Sequence, residues 1–135
     1  MRKNHQNKLN MLAVGCERVA QNIRQGKINT KNLRRSVVFF DDGKPGCSFG
    51  LAIQAAGLQK TMKPFKGPTF DGTRGAKWWS NVKAYEFISG KKADSELESL
   101  LEELERCNDY VTGSTKRKAV TKCLQAVAEK IRSVR

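Results

Sequence analysis

The chain has 135 residues, of which 39% are hydrophobic and 29% charged, a composition that excludes a disordered protein and fits one globular domain. Its 26 Lys and Arg against 13 Asp and Glu give a net charge of +13, which favours nucleic acid (DNA or RNA) or an acidic protein surface as partner. No stretch approaches the ~20 apolar residues of a membrane span and no signal-peptide pattern is present, so we expect a cytoplasmic protein with no membrane partner.

Apolar residues at steps of three and four predict a first helix from Lys8 to Gln25, closed by Gly26. Residues 27–35 follow as a basic connector. Residues 36–40 are β-branched and aromatic and precede the turn sequence DDGKPG, so they predict at most a short β-segment. Residues 45–59 carry no charge and predict a small buried helix that ends at Gly57.

Residues 60–77 hold two of the three prolines and three glycines, and they predict a long basic loop. The helix predicted after this loop places Trp78, Val82 and Tyr85 on one face. This spacing favours aromatic side chains packed in the core. The alternative exposes Trp79 for base stacking or as a protein contact.

Residues 94–107 give the clearest helical pattern, with Ser95 and Glu98 as a capping box and Asn108-Asp109 at the end. The last helix is predicted to begin after Thr115, and the short link favours an antiparallel hairpin. The fold class is therefore mainly α, a single domain over residues 1–135 with four or five helices.

Charge is distributed unevenly along the chain. Residues 94–109 carry seven acidic and one basic residue, whereas residues 110–135 carry seven basic and one acidic. The acidic helix either balances charge within the protein or points away from a polyanion. In both cases we expect that it does not touch nucleic acid.

Two cationic segments are the candidate contact surface. The loop cations need no special spacing to contact phosphates, and the alternative is a merely soluble loop. The cations 116–118 are predicted in the first turn of the last helix, where the helix dipole favours anions, so with two hydroxyls they predict an anion cradle. The complete predicted contact set is Lys60, Lys63, Lys66, Arg74, Lys77, Trp79, Lys83, Ser114, Thr115, Lys116, Arg117, Lys118 and Lys122.

No catalytic residue, metal site or cofactor is predicted. The single histidine, His5, falls in a terminus expected to fray, which argues against a nucleophile–histidine pair. The four cysteines form no C-x-x-C pair and are interpreted as reduced core thiols, the alternative being a zinc site that includes His5. We therefore expect a binding protein rather than an enzyme.

Two segments, Cys47–Gly57 and Asn108–Ile131, resemble small helical domains of unknown function found in phage and bacterial genomes. The matching residues are Cys47, Gly50-Leu51-Ala52 and Asn108-Asp109, and the segments cover less than half of the chain. The resemblance implies an α-helical fold and a phage or mobile-element origin, hence a host-cell cytoplasm. It implies no activity.

Three functions follow as hypotheses. The first is a small nucleic-acid-binding or regulatory protein that contacts the phosphate backbone. The second is a phage-encoded inhibitor or host-takeover factor, for example an anti-defence protein, that binds a host protein or nucleoprotein complex. The third is a structural component of a ribonucleoprotein or virion.

Overall fold

The computed structural model describes residues 3–33, 38–40, 44–62, 76–78 and 80–134, with the backbone alone at residues 3–5, 32, 39–40, 76–78 and 109–110. Within these residues the fold is mainly α-helical, as predicted. Its five helices are α1 (Lys3–Arg24), α2 (Ser48–Ala55), α3 (Asn81–Ser89), α4 (Ser95–Tyr110) and α5 (Gly113–Arg132).

Helix α1 buries the predicted apolar stripe from Leu9 to Ile23 against the rest of the fold. It begins at Lys3, earlier than the predicted Lys8, so it includes His5, in the terminus that was predicted to fray. The predicted stop is confirmed, because Gly26 adopts φ 75°, a left-handed conformation that suits glycine.

Helix α2 crosses α1 at very short range. A Cβ atom added at Gly15 would overlap the carbonyl oxygen of Ala52 and would lie 2.9 Å from the Cβ of Ala56. A Cβ atom added at Gly50 would likewise overlap the carbonyl oxygen of Val38. Two glycines therefore let α2 pack between α1 and the segment around Val38, and α2 is buried as predicted.

The β-segment has a partner that the sequence did not reveal. Strand β1 (Phe39–Phe40) pairs antiparallel with β2 (Ala76–Trp78), and Phe39 lies opposite Trp78. A short 3-10 helix at Lys60–Met62 and the start of β2 take up the two ends of the predicted loop. The rest of that loop lies outside the described residues.

The predicted helical face that joined Trp78 to Val82 and Tyr85 was wrong. Trp78 belongs to a strand, and α3 begins only at Asn81. The helix starts there because Ser80 is extended and its hydroxyl oxygen accepts a hydrogen bond from the backbone N–H of Lys83, at 3.3 Å.

Helices α4 and α5 form the predicted antiparallel hairpin, and the ammonium of Lys130 near the end of α5 lies 3.2 Å from Asp94 at the start of α4. The predicted cap was one residue too late. The N-cap is Asp94, whose carboxylate accepts from the N–H of Leu97 at 2.8 Å, so Ser95 and Glu98 do not form the capping box.

Two further helix boundaries differ from the prediction. Helix α4 continues through Asn108 to Tyr110, and α5 begins at Gly113 rather than after Thr115. Gly113 adopts φ 66°, which allows the chain to reverse within the two-residue link. Only Lys116 of the three adjacent cations thus lies in the first turn of α5.

A buried polar cluster fastens α2 and α3 to α4. The Asn108 amide donates to the Ser48 hydroxyl at 3.0 Å and to the Leu104 carbonyl at 2.8 Å. The Asn81 amide donates to the Leu101 carbonyl at 3.2 Å. Asparagine at these positions therefore fixes the relative positions of three helices.

All four cysteines are free and buried, as predicted for core thiols. Burial raises the pKa of Cys16 and that of Cys123 to about 12 each, so both thiols stay neutral. Within the described part of the chain no three metal-binding side chains come together. No helix in that part is both long and apolar enough to cross a membrane.

Candidate nucleic-acid interface

The candidate site lies where the end of α1 meets the start of α5. Arg117 connects the two helices, because its Nε donates to the Ile23 carbonyl at 3.2 Å and its Nη2 to the Arg24 carbonyl at 3.5 Å. A cation at the C-terminus of a helix is favourable, since the last carbonyls carry partial negative charge and lack partners within the helix. Arg117 therefore caps α1.

Lys116 points inward. It is 8% exposed, and its ammonium donates to the Leu33 carbonyl at 3.0 Å. A buried ammonium must be hydrogen-bonded to be tolerated, so this contact ties the chain at Leu33 to the first turn of α5. Of the three cations predicted to form one anion site, Lys116 therefore stabilises the fold and does not face the surface.

An open groove of about 440 Å³ lies between α1 and α5. Its cationic walls come from Arg24 on α1 and from Arg117, Lys118 and Lys122 on α5, all exposed. None of these four cations forms an ion pair with a carboxylate among the described residues. Their positive charges repel one another, and a bound polyanion would relieve that repulsion.

A second cavity of about 530 Å³ adjoins the groove at Arg117, which lines both. It lies between the chain segment after α1 and the start of α5, and its polar walls include Thr30, Lys31 and Ser114. Thr115 is exposed at the next position of α5. Five of the predicted contact residues, Ser114, Thr115, Arg117, Lys118 and Lys122, thus lie together on the outer surface of the first half of α5.

The other predicted residues lie elsewhere. Lys60 is exposed in the 3-10 helix, and Lys83 is exposed on α3 with its ammonium 3.9 Å from Glu86. Neither lines the groove. Lys77 belongs to β2, where the backbone alone is described. The remaining predicted residues lie outside the described part of the chain: Lys63, Lys66, Arg74 and Trp79.

Sequence reasoning missed Arg24, Lys31 and Thr30. Residues 27–35 were identified as basic, but nothing in their spacing shows that they turn back onto α5. The signal for Arg24 is its place in the last turn of α1, where the chain carries a cation. Only the packing of α1 against α5 reveals that this cation shares a groove with residues more than ninety positions later.

The cations in the second half of α5 have carboxylate partners, unlike those that line the groove in the first half. Lys130 pairs with Asp94 and Glu96 of α4, and Arg132 pairs with Glu17 of α1. Hydrogen bonds from the Leu97 N–H and from Lys130 lower the pKa of Asp94. The cations near the end of α5 are therefore neutralised, which concentrates the unpaired positive charge at its start.

The acidic helix lies on the other flank of α5. Cys123 of α5 donates its thiol proton to the Leu100 carbonyl of α4 at 3.4 Å, while Arg117 reaches α1. Glu98 and Glu102 are exposed on α4. The protein thus carries an acidic flank and a basic flank on either side of one helix.

Comparison of the chain with protein-family models, with curated proteins and with solved structures gave no match. The site must therefore be interpreted from its own geometry and charge.

Proposed function

We propose that this protein binds nucleic acid through the phosphate backbone, with the groove between α1 and α5 as the contact surface. The observation that supports the proposal is the set of four exposed cations, Arg24, Arg117, Lys118 and Lys122, that line one groove without a carboxylate partner among the described residues. Phosphate contacts of this kind supply affinity by displacing counterions. A cytoplasmic location, where DNA or RNA is accessible, is part of the proposal.

The groove favours backbone contacts over reading of bases. Its charged side chains are exposed on a helix surface, and lysine and arginine on such a surface adapt to phosphates without a fixed sequence. The acidic flank on α4 repels the same polyanion, so the molecule would bind in one orientation. We therefore expect affinity for many sequences and a strong dependence on salt.

The test is fluorescence anisotropy with labelled single-stranded DNA, duplex DNA and RNA of equal length across a salt series. The decisive variant is Lys118→Glu with Lys122→Glu. The matched control is Lys60→Glu with Lys83→Glu, which makes the same charge change on exposed lysines outside the groove.

We expect the groove variant to lose at least about tenfold in affinity, and its salt slope on duplex DNA to fall by roughly 1.8, since each lost phosphate contact contributes about 0.9. The control should keep most of its affinity. Equal losses in both variants would show that net charge alone drives binding. Absence of binding to every probe at physiological salt would refute the proposal and leave an acidic protein surface as the partner to seek.

A further inference from the structure

The groove between α1 and α5 contains an uncharged side chain that is available to a ligand. Gln125 lines the groove and is partly buried, and its amide makes no hydrogen bond among the described residues. Thr121, the other uncharged residue at the groove, already donates its hydroxyl proton to the Arg117 carbonyl at 2.8 Å. Among the described residues that line the groove, Gln125 therefore supplies the neutral hydrogen-bond donor that is not already used.

Gln125 continues the row of groove lysines along one face of α5. Lys118, Lys122 and Gln125 are spaced i, i+4 and i+7, so their side chains are neighbours on the helix surface. Lys122 and Gln125 are three residues apart, and the Cβ atoms of such a pair lie about 5–6 Å apart. When Lys122 holds a phosphate, the amide of Gln125 therefore lies beside the group that follows that phosphate along the strand.

That neighbouring group is the sugar. In RNA the ribose carries a 2′-hydroxyl on the carbon adjacent to the one that bears the 3′-phosphate, whereas DNA has only hydrogen there. The 2′-hydroxyl both donates and accepts a hydrogen bond, and so does a glutamine amide. The lysines and arginines of the groove only donate, which suits phosphate oxygens. The amide of Gln125 thus matches a ribose better than it matches a phosphate.

The groove offers few contacts to the bases. No aromatic side chain is among the described residues that line it, so it has no platform for the base stacking by which proteins commonly hold single strands. The exposed cations on its walls bind phosphates without regard to sequence. Contacts inside the groove are thus mainly with phosphate and sugar, and the sugar is the part of this backbone that differs between RNA and DNA.

We propose that the groove prefers RNA to DNA, and that Gln125 confers this preference by hydrogen bonding to a ribose 2′-hydroxyl while Lys118 and Lys122 hold the phosphates. This inference rests on the proposed function and narrows its substrate to one class of nucleic acid. The cations supply the affinity and the amide supplies the preference, so the two properties can be changed separately.

The test compares labelled oligouridine with oligodeoxyuridine of the same length in the anisotropy assay, because these strands differ only in the 2′-hydroxyl. We expect the wild type to bind oligouridine about three- to tenfold more tightly, the effect of one net hydrogen bond. Gln125→Met removes the amide at nearly constant length and should lower the affinity for oligouridine to that for oligodeoxyuridine. The affinity for oligodeoxyuridine should not change, which also shows that the variant is folded.

The matched control is Gln21→Met, the same change at an exposed position of α1 that does not line the groove. The preference for oligouridine should persist in this variant. A third probe, 2′-O-methyl oligouridine, retains the 2′-oxygen but cannot donate a hydrogen bond to the Gln125 carbonyl oxygen. The wild type should therefore bind it like oligodeoxyuridine.

The outcomes separate this inference from the proposed function. Equal binding of oligouridine and oligodeoxyuridine by the wild type would refute the RNA preference and leave the groove as an interface for both nucleic acids. Binding of duplex DNA alone would keep the proposed function and refute this inference, whereas binding of no probe would refute both. A preference that persists in Gln125→Met, or that 2′-O-methyl oligouridine retains in full, would place its cause outside the amide of Gln125 and overturn the assignment.

Discussion

Arg117 has two roles that a pair of variants can separate. It caps the last carbonyls of α1 and it lines the groove. The side chain of its neighbour Lys118 also lines the groove but makes no hydrogen bond among the described residues. Arg117→Ala should therefore weaken both the fold and nucleic-acid binding. Lys118→Ala should weaken binding alone.

The size of the stability loss follows from the contacts. The variant removes a hydrogen bond of 3.2 Å to the Ile23 carbonyl and a long one of 3.5 Å to the Arg24 carbonyl. The bond to Ile23 comes from a charged donor and is only partly buried, and Arg117 also interacts favourably with the C-terminal dipole of α1. Losing both should lower the free energy of unfolding by about 1–2 kcal/mol. With a urea m-value of about 1–3 kcal/mol/M, the unfolding midpoint should fall by roughly 0.3–2 M.

The assay is urea unfolding followed by circular dichroism, with anisotropy measured on the same preparations. Arg117→Lys should recover part of the stability, because the charge remains at the end of α1 but the planar fork is lost. The reasoning would be refuted if Arg117→Ala and Lys118→Ala unfolded at the same midpoint. It would also be refuted if Arg117→Lys matched the wild type in stability.

Three further predictions concern the fold. Replacing glycine by alanine inside an exposed helix stabilises it by about 1 kcal/mol. Gly15→Ala should instead destabilise the protein by about 1–3 kcal/mol in urea unfolding, because the added Cβ would overlap α2. A stabilised variant would contradict the close crossing of α1 and α2. Cys16, with a pKa of about 12, should resist a thiol reagent at pH 8 until the protein unfolds, and reaction in the native state would show that the core opens. The pKa of Asp94 is lowered by the Leu97 N–H and by Lys130, so its stabilising effect should be complete above the unfolded pKa near 4 and disappear as pH falls through the folded value. Urea midpoints of wild type and Asp94→Asn should therefore differ at pH 7 and converge in acid; a constant difference would contradict the assignment.

The sequence predicted the helical class and most helix positions because apolar periodicity and glycine stops are local signals. Gly26 and Gly57 were both predicted to end their helices, and both adopt left-handed conformations. Boundaries set by competing polar residues were not predicted. Asp94, not the predicted Ser95, is the N-cap of α4. Ser80 is the N-cap of α3, so that helix does not extend back to Trp78 as the aromatic spacing had predicted.

The sequence predicted the part of the candidate site that lies on α5 but not the part contributed by α1. The cations at the start of α5 stood out because they oppose the helix dipole. Their division into an inward Lys116, a capping Arg117 and an outward Lys118 depends on helix phase and on the neighbours that α1 provides. The contribution of Arg24 depends on the packing of distant segments, which no local pattern encodes.

The hydrogen bond between Arg117 and Ile23 joins residues 94 positions apart, while the α4–α5 hairpin is made from neighbouring segments. Local contacts of that kind form early in folding, whereas a contact that closes such a long loop forms late, because the loop-closure entropy must first be overcome. We therefore expect the groove to form after the α4–α5 hairpin. A chain whose α5 has not yet packed on α1 would have no groove, so the proposed affinity for nucleic acid would report that packing.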